Sequence, residues 1–202
     1  MANGVPFSQK GDGKLLFFQE FLKHPLQIGS VIPSSRYLEK RVINMAEVKY
    51  CNIIVELGSG TGGTTRAILA AMPKDAKLLS IEINPQFHKT VKNIKDKRLI
   101  AHHGSAAELG NILLEYDLPK PQAVISGIPF STMPQDLGKR IILEIAENLA
   151  PDGRFVAYQF SKRVIYLCNP ILGPCKKTME ILNIPPMRIF RWDKNGGPRN
   201  YV

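Results

Sequence analysis

The chain has 202 residues, 44% hydrophobic and 22% charged, which is typical of a globular protein and allows one domain with a full core. Its net charge of +10 favours a polyanionic partner, an anionic membrane surface or a nucleic acid, although solubility alone also explains it. The cysteines and histidines lack the spacings of a disulfide framework or a zinc site, so we expect a reducing compartment and no metal. No stretch approaches the roughly 20 apolar residues of a membrane span, so we expect a soluble or peripheral protein.

The first predicted element is an amphipathic helix over residues 14–24, ended by Pro25. Its dense apolar face carries Phe17, Phe18 and Phe21. Such a face either docks on the core of the same domain or enters the headgroup boundary of a membrane.

The second predicted helix begins at Ser34 or Ser35 and runs to about Glu47, because serine accepts hydrogen bonds from the exposed N–H groups of a first turn. Arg36 follows in that turn, where the helix dipole makes a cation mildly unfavourable. Ser34, Ser35 and Arg36 are therefore a candidate phosphate site, with a plain helix cap as the alternative.

A buried strand, a glycine-rich turn and a helix follow, and this stretch predicts a nucleotide site. Four glycines come within six positions after the strand, and glycine allows a ligand to approach the backbone closely. Gly58, Gly60 and Gly63 match the dinucleotide pattern G-x-G-x-x-G. Gly58, Gly60 and Gly62 also match the pattern E-x-G-x-G-x-G of S-adenosyl-L-methionine (SAM) methyltransferases, and Glu56 favours this second interpretation.

Downstream, predicted strands alternate with predicted helices, which indicates a parallel α/β sheet with ligands beyond the carboxyl ends of its strands. The predicted strands cover residues 53–57, 77–83, 98–102, 121–126 and 153–160, with two more around Pro185 and Pro186. The predicted helices cover residues 64–72, 85–95, 106–116 and 134–149. Four segments, residues 56–63, 82, 104–106 and 126–130, are therefore expected to meet at one edge.

For SAM, the glycine turn would hold the methionine part, and Glu56 would meet its amino group directly or through water. Glu82 would accept both ribose hydroxyls, because a carboxylate has two acceptor oxygens. Ser105 and Ala106 would border the adenine. The predicted cofactor-binding residues are Glu56, Gly58, Ser59, Gly60, Gly62, Glu82, Ile83, Ser105, Ala106 and Ser126.

The loop at residues 126–130 suits an amine acceptor beside the sulfonium methyl, since proline stiffens the loop and Phe130 can wall off the nucleophile. Tyr158, at the end of the next strand, is expected to contact the substrate headgroup. The predicted catalytic residues are Ser126, Gly127, Ile128, Pro129, Phe130 and Tyr158.

Most of the chain resembles the bacterial phospholipid N-methyltransferases. The resemblance is carried by residues 18–36, 55–63, 126–130, 158–160 and 183–188. It implies a class I, Rossmann-like methyltransferase fold: a seven-stranded, mostly parallel sheet with helices on both faces and an N-terminal amphipathic helix. It also implies SAM as cofactor and methylation of phosphatidylethanolamine towards phosphatidylcholine.

The same resemblance implies a phospholipid substrate, an anionic membrane partner and a cytoplasmic, peripheral location on the inner membrane face. Residues 1–50 would form a helical cap toward the membrane or substrate, and residues 51–202 the methyltransferase part, within a single domain. The lipid phosphate would meet residues 34–36, or else Lys162 and Arg163.

The related ribosomal RNA adenine dimethyltransferases have Asn at the position of Gly127, and they usually carry a helical RNA-binding domain after the catalytic one. About ten residues follow Trp192 here. Both differences favour an amino lipid, and no nucleic-acid partner is expected. Open alternatives are an ornithine lipid or an RNA adenine as acceptor, and a non-catalytic basic module that binds membrane or RNA.

Overall fold

A computed structural model of the chain describes residues 34–194, which contain a seven-stranded sheet. The strands are β1 (Ile53–Leu57), β2 (Lys77–Glu82), β3 (Leu99–His103), β4 (Ala123–Ser126), β5 (Arg154–Gln159), β6 (Lys176–Glu180) and β7 (Met187–Asp193). Their order is β3-β2-β1-β4-β5-β7-β6. Strands β1 to β5 pair in parallel, and β7 is antiparallel to both of its neighbours. The predicted mostly parallel sheet is confirmed.

Helices cover both faces of this sheet. They are α1 (Arg36–Ala46), α2 (Gly63–Ala71), α3 (Pro85–Lys92), α4 (Leu109–Glu115), α5 (Gln135–Asn148) and α6 (Arg163–Leu172). One buried core cluster joins α1 and α2 to the sheet, and a second joins α4, α5 and α6 to it. The helix predicted over residues 106–116 is divided, because a 3-10 turn at Ala106–Glu108 precedes α4.

Burial explains the two elements that frame the site. Strand β1 is buried at every position, as expected for a central parallel strand covered on both faces. On α1, the buried side chains Leu38, Val42 and Ala46 are four residues apart, so they share one helix face and pack on the sheet. This packing holds Glu39, the neighbour of Leu38 on α1, beside Gly63 at the start of α2.

The strand register brings the predicted site segments together. Leu57 pairs with Ile81 and with Ser126, and Ser126 pairs with Ala157. The residues that follow these pairs in sequence therefore reach the same edge of the sheet. They are Gly58, Glu82, Gly127 and Tyr158.

The apolar stretch over residues 164–172 forms α6, with Val164 and Cys168 buried against the core and Tyr166 exposed. Within residues 34–194, no helix is long and apolar enough to cross a membrane. The predicted N-terminal helix with Phe17, Phe18 and Phe21 lies outside the described residues.

Candidate active site

A cavity of about 470 Å³ opens at the carboxyl edge of the sheet, a volume within the range of small-molecule sites. Residues from every strand-end segment predicted to meet there line it. The predicted site residues in its wall are Ser34, Gly58, Ser59, Gly60, Glu82, Ile83, Ser105, Ala106, Gly127, Ile128, Pro129 and Tyr158. The tertiary structure thus gathers most of the predicted site around one space.

The glycine turn has the backbone shape of a ligand cradle. Gly58, Gly60 and Gly62 have φ angles of 76°, 51° and 82°, which other residues rarely adopt. A Cβ on Gly58 would come within 3.1 Å of the Ile128 side chain, so the turn and the next loop approach closely. Gly62 shapes the turn from behind and does not line the cavity. Ser59 lines the cavity, and its buried hydroxyl has no hydrogen-bond partner among the described residues.

Glu82 is anchored to the backbone on both of its oxygens. Its Oε2 accepts from the Gly60 N–H at 2.9 Å, and its Oε1 accepts from the Asn84 N–H at 2.9 Å. Each carboxylate oxygen has a second lone pair, so this buried side chain can still accept from two hydroxyl groups in the cavity. The Asn84 side chain in turn caps α3 by accepting from the N–H groups of Gln86 and Phe87.

Glu56 lies behind the cavity wall, so of the two predicted contacts with the cofactor amino group, direct or through water, the structure does not support the direct one. The residue is 1% exposed and does not line the cavity. Its Oε2 accepts from the hydroxyl groups of Thr65 at 2.6 Å and Ser80 at 3.0 Å, while its Oε1 has no hydrogen-bond partner among the described residues. Burial raises the pKa of Glu56 to about 7, against the opposing effect of these two hydrogen bonds.

Hydrogen bonds with the buried side chains of Ser126 and Gln159 fix the loop over residues 126–130. The buried Ser126 hydroxyl accepts from the Ile128 N–H at 3.2 Å, and the Gln159 amide donates to the Ile128 carbonyl at 2.6 Å. A Cβ on Gly127 would lie 2.5 Å from the Tyr158 hydroxyl, so no side chain fits there. Ser126 therefore shapes the loop and does not reach the cavity.

The prediction that Phe130 walls off the nucleophile is corrected by the structure. Its side chain is 3% exposed and belongs to the core cluster that also contains the buried side chains of α5. The aromatic side chains that line the cavity are instead Phe87 in α3, Tyr158, and Phe160 directly after β5.

Tyr158 lies where β5 meets the proline loop. Its hydroxyl is 3.2 Å from the Thr64 hydroxyl, and either group can be the donor. Burial raises the pKa of Tyr158 well above its usual value, so the phenol stays protonated and neutral at physiological pH. Tyr158 therefore offers the cavity a neutral polar group, and it cannot act as a base near pH 7.

Ser34, Ser35 and Arg36, the three residues predicted to bind phosphate, do not lie together at the cavity. Ser35 caps α1, since its hydroxyl accepts from the Leu38 N–H at 3.2 Å, and its own N–H donates to Asn183. Arg36 is exposed, and neither Ser35 nor Arg36 lines the cavity. Ser34 alone of the three lines the cavity. The capping contact of Ser35 agrees with the alternative interpretation of a plain helix cap.

Several cavity residues were not predicted, because only the tertiary structure brings them there. They include Glu39, Thr64, Asn84, Phe87, Thr132, Gln159, Phe160, Pro185 and Met187. One signal in the sequence could have indicated two of them, because residues just beyond the carboxyl end of a parallel strand lie at the ligand-binding edge. Phe160 directly follows β5, and Asn84 lies two residues after β2. Between Ser34 and Lys194, no group of three or more His, Cys, Asp or Glu side chains could hold a metal ion.

Comparison with known proteins supports one class of reaction. No family model matches the chain. A curated relative, ornithine lipid N-methyltransferase from Singulisphaera acidiphila, is 28% identical over 142 residues, which cover 69% of this chain and 74% of the relative.

Solved structures show the fold. The N-methyltransferase NodS from Bradyrhizobium japonicum in complex with S-adenosyl-L-homocysteine (SAH) matches with a TM-score of 0.65 and 10% identity, covering 92% of this chain and 100% of that one. Precorrin-6y C5,15-methyltransferase from Geobacter metallireducens matches with a TM-score of 0.62 and 16% identity, covering 79% and 89%. The chain has the Rossmann-like class I methyltransferase fold, and the findings together support a SAM-dependent methyltransferase with SAM as its cofactor.

Proposed function

We propose that this chain transfers the methyl group of SAM to the amino headgroup of a membrane lipid, while bound peripherally at an anionic, cytoplasmic membrane face. When bound, SAM supplies a methyl group on a sulfonium, which becomes the neutral thioether of SAH as the acceptor nitrogen bonds to the methyl carbon and gives up a proton. The residues present fit this cofactor. Ser59 offers an unpartnered hydroxyl, Glu82 retains acceptor capacity, and Ile83 and Ala106 add apolar surface to the same wall.

The single observation that favours a lipid is the exposure of apolar side chains on the loop between β6 and β7, beside the cavity mouth. Ile181, Leu182 and Ile184 are 68%, 56% and 86% exposed. Pro185 of this loop and Met187, the first residue of β7, line the cavity. Three exposed aliphatic side chains at a cavity mouth suit acyl chains, because burying them there removes apolar surface from water.

Polar side chains hold this loop in shape from inside. Asn183 is buried, accepts from the Ser35 N–H and donates to the Pro185 carbonyl at 2.8 Å. The Leu182 N–H donates to Glu180, which also pairs with Arg41 at 2.7 Å. The apolar side chains are therefore presented outward by a loop whose buried polar groups fix its conformation.

Two arginines supply positive charge near the same mouth. The Arg188 guanidinium donates to the Phe160 carbonyl at 2.5 Å, and the Arg163 guanidinium donates to the Ser131 carbonyl at 3.5 Å. Phe160 and Ser131 both line the cavity. Arg163 is one of the residues predicted to meet a lipid phosphate, and its location supports that role.

Gly127 disfavours an RNA adenine as the acceptor. The RNA enzymes that this chain resembles carry an amide side chain at this position, and here the Tyr158 hydroxyl occupies the space of a Cβ. Among lipids, the resemblance described above favours phosphatidylethanolamine. Ornithine lipid is the second candidate, because the curated relative is named for it.

The proposal is tested by incubating the protein with methyl-labelled SAM and vesicles that contain phosphatidylethanolamine, ornithine lipid or neither, with total RNA as a fourth acceptor. We expect label in an amino lipid and none in vesicles of phosphatidylglycerol alone. Label in RNA, or in no fraction despite SAM binding, would contradict the proposal. Comparing the two amino lipids at equal mole fraction decides between the two candidates.

A further inference from the structure

Glu39 on α1 is an unassigned acid in the cavity wall. The buried side chains Leu38 and Val42 fix α1 on the sheet, and the Glu39 carboxylate lies against the start of α2. A Cβ on Gly63 would come within 2.6 Å of its Oε1. In the described part of the chain, this carboxylate has no hydrogen-bond or ion-pair partner, and burial raises its pKa above the ordinary value.

The wall around Glu39 is rich in acceptors and lacks cations. Of the charged residue types, only Glu39 and Glu82 line the cavity within residues 34–194, with no Lys, Arg or His. Glu82 already accepts from two backbone N–H groups, whereas Glu39 accepts from none. The Thr64 and Tyr158 hydroxyl groups lie on the same wall, and Tyr158 experiences the charge of Glu39. A net basic protein thus has an anionic cavity.

We propose that Glu39 forms an ammonium-binding subsite, in which its carboxylate pairs with a primary alkylammonium group inside the cavity. The inference rests on the proposed function, which brings two such groups to this space. One is the ammonium of the methionine part of SAM, and the other is the ammonium of the acceptor lipid. A partly buried carboxylate without a partner is unfavourable, and an ammonium ion would satisfy it with a charge-assisted hydrogen bond.

The test compares Glu39→Gln, which keeps the shape and removes the charge, with Glu147→Gln as a matched control at an exposed acid on α5. SAH affinity is measured by calorimetry, alongside an SAH analogue in which hydrogen replaces the amino group. If Glu39 binds the cofactor ammonium, Glu39→Gln weakens SAH about 10- to 100-fold and leaves the analogue unchanged. Glu147→Gln should match the unmodified protein with both ligands.

If Glu39 instead binds the acceptor ammonium, SAH affinity is unchanged and the KM for the amino lipid rises about 10-fold or more, with partial rescue in Glu39→Asp. Unchanged SAH affinity together with unchanged KM overturns the inference. An equal loss for SAH and its deaminated analogue also overturns it, because that result indicates a structural role. If the protein methylates no lipid, the proposed function is wrong, but the subsite can still be tested with SAH. In that case, unchanged SAH affinity in Glu39→Gln overturns the subsite.

Discussion

At the scale of single residues, Glu82 joins the glycine turn to the residues after β2. Replacing it with alanine leaves the Gly60 and Asn84 N–H groups without their acceptor and removes the oxygens expected to bind ribose. We expect Glu82→Ala to weaken SAH binding at least about 100-fold in calorimetry. Glu108→Ala, at an exposed acid outside the cavity wall, should bind SAH normally, and near-normal affinity in Glu82→Ala would contradict the ribose assignment.

Glu56 gives the protein a pH-dependent stability. Its pKa is raised by burial from 4.5 to about 7, so the folded state favours the protonated carboxyl group. The stabilisation from this group is complete below about pH 4.5 and is lost as the pH rises through about 7. Over this window the loss is on the order of 3 kcal/mol, at about 1.4 kcal/mol for each pKa unit.

Glu56→Gln isolates that effect, because the amide does not titrate. The unmodified protein loses the contribution of Glu56 between about pH 4.5 and pH 8, and the variant does not. The free energy of unfolding of the variant minus that of the unmodified protein should therefore rise by on the order of 3 kcal/mol over this range. Urea denaturation at both pH values measures the difference, so any constant cost of the amide cancels. Parallel pH profiles for the two proteins would show that the buried carboxyl has an ordinary pKa.

At the scale of elements, the β6–β7 loop presents exposed apolar side chains beside the cavity mouth. We expect the triple variant Ile181→Ser, Leu182→Ser and Ile184→Ser to lose most co-sedimentation with anionic vesicles, since serine buries little apolar surface. SAH affinity should be unchanged, because these three side chains lie outside the cavity wall.

Leu114→Ser is the matched control for this loop, since Leu114 is exposed on α4 and does not line the cavity. It should bind vesicles like the unmodified protein. If the triple variant still binds fully, the loop is not the docking element. The predicted phenylalanine helix is then tested in the same assay with Phe18→Glu and Phe21→Glu.

At the scale of the whole molecule, the cavity couples ligand binding to folding, because its wall is built from both ends of the described chain and from every parallel strand end between them. A ligand at about 100 times its dissociation constant adds about 2.7 kcal/mol to stability. For a domain of this size each kcal/mol raises Tm by about 2–4 °C. SAH should therefore raise Tm by about 5–10 °C in a thermal scan.

NAD at the same concentration is the control for the dinucleotide interpretation of the glycine pattern, and it should leave Tm unchanged. A rise with NAD and none with SAH would reverse the choice between the two cofactors. In Glu82→Ala, binding at least about 100-fold weaker leaves at most about 0.4 kcal/mol of stabilisation, so SAH should raise Tm by no more than about 1–2 °C and NAD should leave it unchanged. This result links the thermal shift to the site.

Local patterns in the sequence determined that the chain forms a parallel sheet and that the cofactor site lies at the carboxyl edge of that sheet. Alternating apolar strands and helices predict a parallel sheet, and the topology of such a sheet requires its carboxyl ends to share one edge. Gly58, Gly60 and Glu82 could therefore be placed at the site from sequence, because each depends on its own strand end and on backbone conformation.

Only the tertiary structure decided which side chains face the cavity. Glu56 turned behind the wall and Phe130 turned into the core, because neighbouring helices bury one side of each segment and sequence spacing does not specify that side. Glu39 entered the cavity from a helix whose apolar pattern predicts only its buried face. The exposed tip at Ile181–Ile184 likewise depends on Asn183 bonding to Ser35, a contact between residues 148 positions apart in the chain.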